Sequence, residues 1–297
     1  MIVVTTPTGN VGSQLLAALL EAETQPLRVI VRDPSRLQDT VRDRVQVIVG
    51  SHDDAAVLDQ ALNGAQGLFW LIPPSMRANS AEEYYLSFTR PAVESIRRHQ
   101  VGHVVGISSA GWSWPHPAGL LSAAHAMDAY LQSSGAAYRS LGMGFYMENL
   151  LRPLPQMTSE GVLSLPLNPD LPLATIATQD IAVIAAGLLL DPSWEGMDRI
   201  PIFGDNLTPN EMAATISDVL GMQVIFEQAD LEQVTASTMQ RGVPEGMARD
   251  FAAMYWAQQN GIYDEDWSHS TPRPTNFRTW CHTVLAQAAQ AGMDDRG

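Results

Sequence analysis

The 297-residue chain contains no lysine: all 17 of its basic residues are arginine, set against 32 acidic ones, for a formal charge of −15. Without lysine there is no Schiff base, no phosphate-gripping lysine of the Walker type, and no Tyr-x-x-x-Lys proton-transfer pair. The acidic balance argues against a nucleic-acid partner, because such binding relies on clustered cations to displace counterions. Cysteine is almost absent too. Cys281 alone excludes an intramolecular disulfide framework and a cysteine-cluster metal centre, so no metal is expected. No apolar run approaches the roughly 20 residues that span a bilayer, and no basic region precedes the apolar amino terminus as in a secretion signal. No membrane partner is expected, and a cytoplasmic location is. Charged residues make up only 16% of the chain and hydrophobic ones 45%, the balance of a globular chain with ample core.

What is present is most distinctive at the start. Met1-Ile2-Val3-Val4-Thr5 runs straight into Thr6-Pro7-Thr8-Gly9-Asn10-Val11-Gly12, and an amphipathic segment with Leu15, Leu16, Leu19 and Leu20 follows. Strand, phosphate-sized loop and helix in that order begin a dinucleotide-binding domain, since a helix amino terminus offers unpaired N–H groups and a positive dipole end to a pyrophosphate. The usual Gly-x-x-Gly-x-x-Gly spacing survives at Gly9 and Gly12, and Thr6 replaces its first glycine. Thr6 is expected to narrow the turn's freedom, Gly9 to allow close backbone approach, and Gly12 to allow tight helix–strand packing. The bland alternative is an ordinary strand–helix connection.

A second strand, Leu27–Val31, ends in Arg32-Asp33-Pro34-Ser35-Arg36. An acidic residue at that place accepts from a ribose 2′-hydroxyl, whereas arginine suits a 2′-phosphate. Arg32 holds the tip, with Ser35 and Arg36 behind it, so NADP(H) is expected in preference to NAD(H). Asp33 points toward NADH, or else caps the following turn; a solvated surface turn is the bland reading of the whole.

Strands are expected at Ile2–Thr5, Leu27–Val31, Val45–Val49, Gly67–Ile72, His103–Ser108 and Tyr138–Gly142, alternating with helices near 11–22, 54–62, 80–99 and 119–134. Such β–α units predict a parallel sheet covered on both faces. Asp53 or Asp54 is a structural cap for the second of these helices. Beyond residue 150 the pattern changes to short strands at Leu163–Pro166 and Leu173–Thr175 and a helix from Thr178 to Leu190. Ile200–Phe203 and Met222–Phe226 flank a helix at Pro209–Leu220 capped by Thr208, and helices near 230–241, 243–260 and 274–290 follow. The expected division is a dinucleotide-binding domain over 1–150 and a smaller lobe over 151–297, interleaved with the first. Nothing in the pattern fixes an oligomeric state.

Several segments together resemble the NmrA-like family of atypical short-chain dehydrogenases. They are Thr6–Gly12, Val31-Arg32-Asp33-Pro34, Val104–Gly111, Leu131–Gly135, Met143–Asn149, Thr178–Ala182 and Gly242-Val243-Pro244-Glu245, and they cover nearly the whole chain. Their order is similar to the branch with triphenylmethane reductase, NADPH-dependent quinone reductases and ergot-alkaloid-type reductases. The resemblance implies an α/β fold, a Rossmann-like doubly wound parallel sheet with a smaller, mostly helical carboxy-terminal lobe. It further implies NADP(H) preference and a substrate cleft between the sheet edge and that lobe. The family also holds redox-sensing regulators without turnover, so fold does not fix function. Its helix that often carries a lysine or histidine reads here Ala123-Ala124-His125-Ala126-Met127-Asp128-Ala129-Tyr130-Leu131.

Candidate chemistry falls at the strand ends. Ser108 and Ser109 close the fifth strand, where a serine donates to a substrate carbonyl or to the cofactor's amide, or merely satisfies a turn. His125 is the proton-transfer candidate, since its ordinary pKa suits either role near neutrality; the alternative is a packed or surface histidine. Tyr130 is expected in the core. Trp112 is expected to wall a flat substrate, with Trp114 open between pocket and packing. Phe145 is expected beside the nicotinamide, and Tyr146, Met147 and Asn149, with Pro73, Pro74 and Met76 after the fourth strand, to shape an apolar cavity, or simply to pack. The function expected is NAD(P)H-dependent reduction of an aromatic, quinone-like or conjugated small molecule. The alternatives are a non-catalytic NADP sensor and a cofactor-independent isomerase or cyclase.

Overall fold

Near-continuous apolar runs of three to seven residues separated by amphipathic helices can bury both faces only as inner strands of a covered sheet, and the computed structural model has that arrangement. It describes residues 1–270 and 274–294. In chain order the elements are β1 (Ile2–Val4), α1 (Asn10–Ala22), β2 (Leu27–Val31), α2 (Asp39–Arg42), β3 (Gln46–Val49), α3 (Ala55–Leu62), β4 (Gly67–Trp70) and α4 (Ala81–His99). Then come β5 (His103–Ser109), α5 (Leu120–Gln132), β6 (Ala137–Met143), β7 (Phe145–Tyr146), α6 (Leu154–Glu160), β8 (Val162–Leu165), β9 (Leu173–Ile176) and α7 (Thr178–Leu190). The rest is β10 (Met197–Ile202), β11 (Asn206–Leu207), α8 (Pro209–Leu220), β12 (Ile225–Gln228), α9 (Leu231–Gln240), α10 (Glu245–Gln258), α11 (Asp264–Ser268) and α12 (Phe277–Trp280). A π-helical stretch, Cys281–Leu285, leads on to α13 (Ala286–Asp294). Among the described residues no helix is long and apolar enough to cross a membrane.

Seven strands form the main sheet in the order β10-β6-β5-β4-β1-β2-β3. β1 is parallel to β2 and β4, β2 to β3, and β4 to β5. The order reverses between β1 and β4, which makes the sheet doubly wound and Rossmann-like, with its switch point beside the β1–α1 loop. The chain divides into two compact units. The first comprises Met1–Ser109, Leu120–Gly142 and Ile181–Ile200; the second comprises Ala110–Gly119, Met143–Asp180 and Pro201–Gly297.

The first unit's core is the sheet itself: Val3, Val4, Val29, Leu68, Phe69, Trp70 and Val105 are fully buried. Asp54 caps α3 by accepting from Ala56 N and Val57 N. α5 buries Leu120, Ala124, Met127, Asp128 and Leu131. Tyr130, expected in the core, is 38% exposed. Steps of 100° per residue put it well off the face centred on Ala124 and Leu131.

The second unit contains a three-stranded sheet, β11-β9-β7, and a two-stranded one, β12-β8. Its helix α8 opens with a full capping box, Thr208 with Glu211. Carboxylates fix its later segments: Asp180 accepts from Thr275 N and Oγ1, and Asp205 from Phe277 N at 2.7 Å. Glu148 accepts from Thr178 Oγ1 and from Trp280 Nε1.

Candidate functional site

The loop from β1 into α1 is built around Thr6. Gly9 N donates to the Thr6 carbonyl at 3.0 Å, and a methyl group at Gly12 would overlap that same carbonyl oxygen. Gly12 is therefore required by the loop itself, and the close approach is to Thr6. A Cβ at Gly9 would lie 3.4 Å from the Thr6 oxygen, an ordinary contact, so bareness at exposed Gly9 keeps space clear outside the loop. Val11 is buried in the core and offers only its backbone, while Thr8 is half-buried and Asn10 exposed. The cap of α1 makes no side-chain bond and its first turn holds no acidic residue. By contrast Asp54, Ser80 and Thr208 cap α3, α4 and α8. The opening N–H groups of α1 thus keep their dipole and donor character for an anion.

Thr6 itself has φ 51°, in the left-handed region, and its buried Oγ1 has no hydrogen-bond partner among the described residues. A β-branched residue is disfavoured there by about 1–2 kcal/mol, of which glycine's greater unfolded-state entropy would return about 0.5–1. Thr6→Gly, which restores the motif's first glycine, is expected to raise stability by about 1 kcal/mol as a higher urea midpoint. An unchanged or lower midpoint would mean that Thr6 is not strained.

At the end of β2, Arg32, Ser35 and Arg36 are all exposed. Asp33 caps its own turn, accepting from Ser35 N at 3.0 Å and Ser35 Oγ at 2.7 Å. These bonds, the side-chain one foremost, hold its carboxyl below the ordinary range. The acid is engaged locally, along with the Ser35 proton, and the two guanidinium groups carry the charge of this corner. Arg32 also acts on His52, a residue without a chemical role in the sequence reading. The His52 ring lies 5.3 Å from Trp70 and 4.7 Å from Phe88 between centroids, and its buried Nε2 has no partner among the described residues. Burial first, with Arg32 adding, pushes its pKa down to about 4; Asp53 and a hydrogen bond to the Leu71 backbone oppose the shift. Pro73 and Met76, after β4, are exposed.

β5 and α5 bring Ser108, Ser109 and His125 together. His125 Nε2 lies 3.0 Å from the Ser109 carbonyl oxygen, so the ring donates to that oxygen from Nε2. Ser108 Oγ donates to Asp128 Oδ2 at 2.7 Å. Asp128, fully buried, also accepts from Ser140 Oγ at 2.6 Å and from Tyr138 OH at 2.5 Å. Burial and the facing carboxylate raise the Tyr138 pKa well above its ordinary value. Gly106 makes room for this, since any side chain there would overlap the Tyr138 ring. Asp128 is the residue that motif reasoning passes over; its signal is an acid on the Ala124/Leu131 face of an otherwise apolar stripe.

In the second unit, Trp112 is half-buried. Trp114 packs with His116 and Trp256, at 5.6 and 6.0 Å between centroids. Asp266 and Glu265 of α11 hold this loop, accepting from Gly111 N and Ser113 Oγ at 2.5 Å each. Phe145 is buried and pairs with Thr175 across β7–β9, and Tyr146 is half-buried. Met147 is wholly buried, its methyl against Gly204, and Asn149 is exposed. Among the described residues no group of three or more His, Cys, Asp or Glu side chains is arranged to hold a metal.

The sequence model of the NmrA-like family matches residues 1–277. An NAD(P)H azoreductase from Xenophilus azovorans is 26% identical over 259 residues, 86% of each chain. A (4-alkanoyl-5-oxo-2,5-dihydrofuran-3-yl)methyl phosphate reductase from Streptomyces griseus is 27% identical over 268 residues, 88% of each. Among solved structures, the Citrobacter sp. triphenylmethane reductase complexed with NADP(H) superposes with a TM-score of 0.75 at 20% identity, over 95% of this chain and 99% of that one. This last likeness establishes the fold.

Proposed function

The chain belongs to the NmrA-like family, and from that premise we propose that it is an NADPH-dependent reductase of aromatic, quinone-like or conjugated small molecules. The observation that carries the reading is the opening loop, where Gly12 is sterically obligatory and the α1 terminus has neither a side-chain cap nor an acid. That is the cradle a pyrophosphate fits. In this reading Thr6, Thr8 and Gly9 shape the loop, and the backbone of Asn10, Val11 and Gly12 donates to the phosphates. Arg32 and Arg36, flanking Ser35, take a 2′-phosphate. Pro73, Ser108 and Phe145 are assigned to the rest of the cofactor. Met76, Trp112, Tyr146, Met147 and Asn149 are assigned to the substrate, Met147 from within its unit's core.

When bound, a dihydronicotinamide supplies the hydride. The chain has no lysine, so the accompanying proton comes from water or from His125. The relatives named as an azoreductase and as a furan-derivative reductase support a reductive reaction on a conjugated acceptor.

The test is calorimetric titration with NADPH and NADH, together with NADPH consumption against a panel of quinones, azo compounds and dyes. Arg32→Ala is expected to weaken NADPH binding about tenfold, the worth of one charge-assisted phosphate contact, and to leave NADH within about twofold. A preserved NADPH preference in that variant would remove the assignment of Arg32. Binding without turnover of any acceptor would turn the reading to a dinucleotide sensor, and no binding of either cofactor to a cofactor-independent enzyme.

A further inference from the structure

We propose that Asp128 makes Ser108 a hydrogen-bond acceptor, and that Ser108 in this state recognises the N–H of the nicotinamide carboxamide. This rests on the NADPH reading above and goes beyond it by assigning the direction of one hydrogen bond. A serine hydroxyl has a single proton and two lone pairs. In the first unit the Ser108 proton is directed at Asp128 Oδ2 over 2.7 Å. Ser140 and Tyr138 donate to the same buried carboxyl group at 2.6 and 2.5 Å, so it meets Ser108 as an acceptor. Hydrogen bonds to an ionised acceptor are about twice as strong as neutral ones, so a neutral carbonyl oxygen arriving at Ser108 does not win the proton back.

Whatever Ser108 meets must therefore bring its own donor. Ser108 is the penultimate residue of β5, at the carboxyl end of the parallel strands where ligands of doubly wound sheets lie. The carboxamide of nicotinamide offers such a donor in its NH2 group. A quinone or other carbonyl acceptor offers none. Asp128 is thus a positioning residue: it acts through Ser108 and gives the pocket wall the polarity of an acceptor.

The experiment compares NADPH with its reduced 3-acetylpyridine analogue, which keeps the carbonyl and replaces NH2 by methyl, and with 2′,5′-ADP, which lacks the nicotinamide half. Binding is measured by calorimetry for wild type, Ser108→Ala and Ser140→Ala. Ser108→Ala is expected to weaken NADPH about fivefold to tenfold, the worth of one hydrogen bond. It is expected to leave the acetylpyridine analogue and 2′,5′-ADP within about twofold. Ser140→Ala removes an equivalent donor from Asp128 without touching ligand, and is expected to leave all three ligands unchanged. Equal weakening of NADPH and its analogue by Ser108→Ala, no weakening of either, or the same selective loss in Ser140→Ala would each overturn the proposal. Failure of the wild type to bind NADPH would instead sink the reading on which it rests.

Discussion

Asp128→Ala is expected to lower the free energy of unfolding by about 4 kcal/mol, since hydrogen bonds to charged groups are worth about 1.5–3 kcal/mol each and are only partly additive. The carboxylate has no exposed surface and accepts from Ser108 and Tyr138, and from Ser140 of the same strand as Tyr138. Alanine would leave those hydroxyls buried around a small void, joining β5, β6 and α5 with nothing at their common point. Asp128→Asn keeps one acceptor oxygen and is expected to lose about half as much. Urea unfolding of the two variants beside wild type checks this. A loss under about 1 kcal/mol for alanine would mean that the cluster relaxes or rehydrates without cost.

Acid is expected to destabilise the protein through His52. Its ordinary pKa of 6.5 is pushed down to about 4 in the fold, with burial the main cause. Between those values the unfolded chain binds a proton that the folded one refuses, so stability rises with pH across this window. The contribution is fully present above pH 6.5 and is lost as pH falls toward 4, at about 1.4 kcal/mol per unit, or about 3 kcal/mol in all. His52→Leu removes the titrating ring and its Nε2, which has no partner among the described residues, while keeping an apolar contact for Trp70 and Phe88. Urea unfolding at pH 7, 5.5 and 4 is expected to show the wild type losing about 3 kcal/mol more than this variant. Parallel curves would place the His52 pKa near its ordinary value.

The alternation of strands and helices over the first half was legible because inner parallel strands are apolar on both faces, as in Leu27–Val31, and because helix ends carry caps such as Asp54. The strands β7 and β11 were not, since two residues display no periodicity. β10 was expected as Ile200–Phe203, but it runs Met197–Ile202 with an exposed start, Met197-Asp198-Arg199, and with Pro201. It lies at the edge of the main sheet, where proline is tolerated and apolar patterning relaxes. Its place beside β6 is a long-range pairing that local sequence does not carry.

The opening loop was legible where backbone geometry dictates residue type, as at Gly12, while the role proposed for Arg32 rests on its place at the end of a strand. The left-handed backbone of Thr6 was not legible, since a β-branched residue carries no signal of positive φ. Asp128 and His52 stayed hidden for a common reason. Each is a polar residue whose meaning lies in partners far along the chain: Ser108 and Tyr138 for one, Trp70 and Phe88 for the other.

The direct test of the claim that the amino terminus of α1 holds a pyrophosphate is to follow backbone amide resonances of the full chain during NADPH titration. The largest shifts are expected at Gly9 through Ser13, with smaller ones at Arg32 and Ser108. Saturable binding that leaves Gly9 through Ser13 unmoved would contradict the account, because the cofactor would then sit elsewhere on the fold.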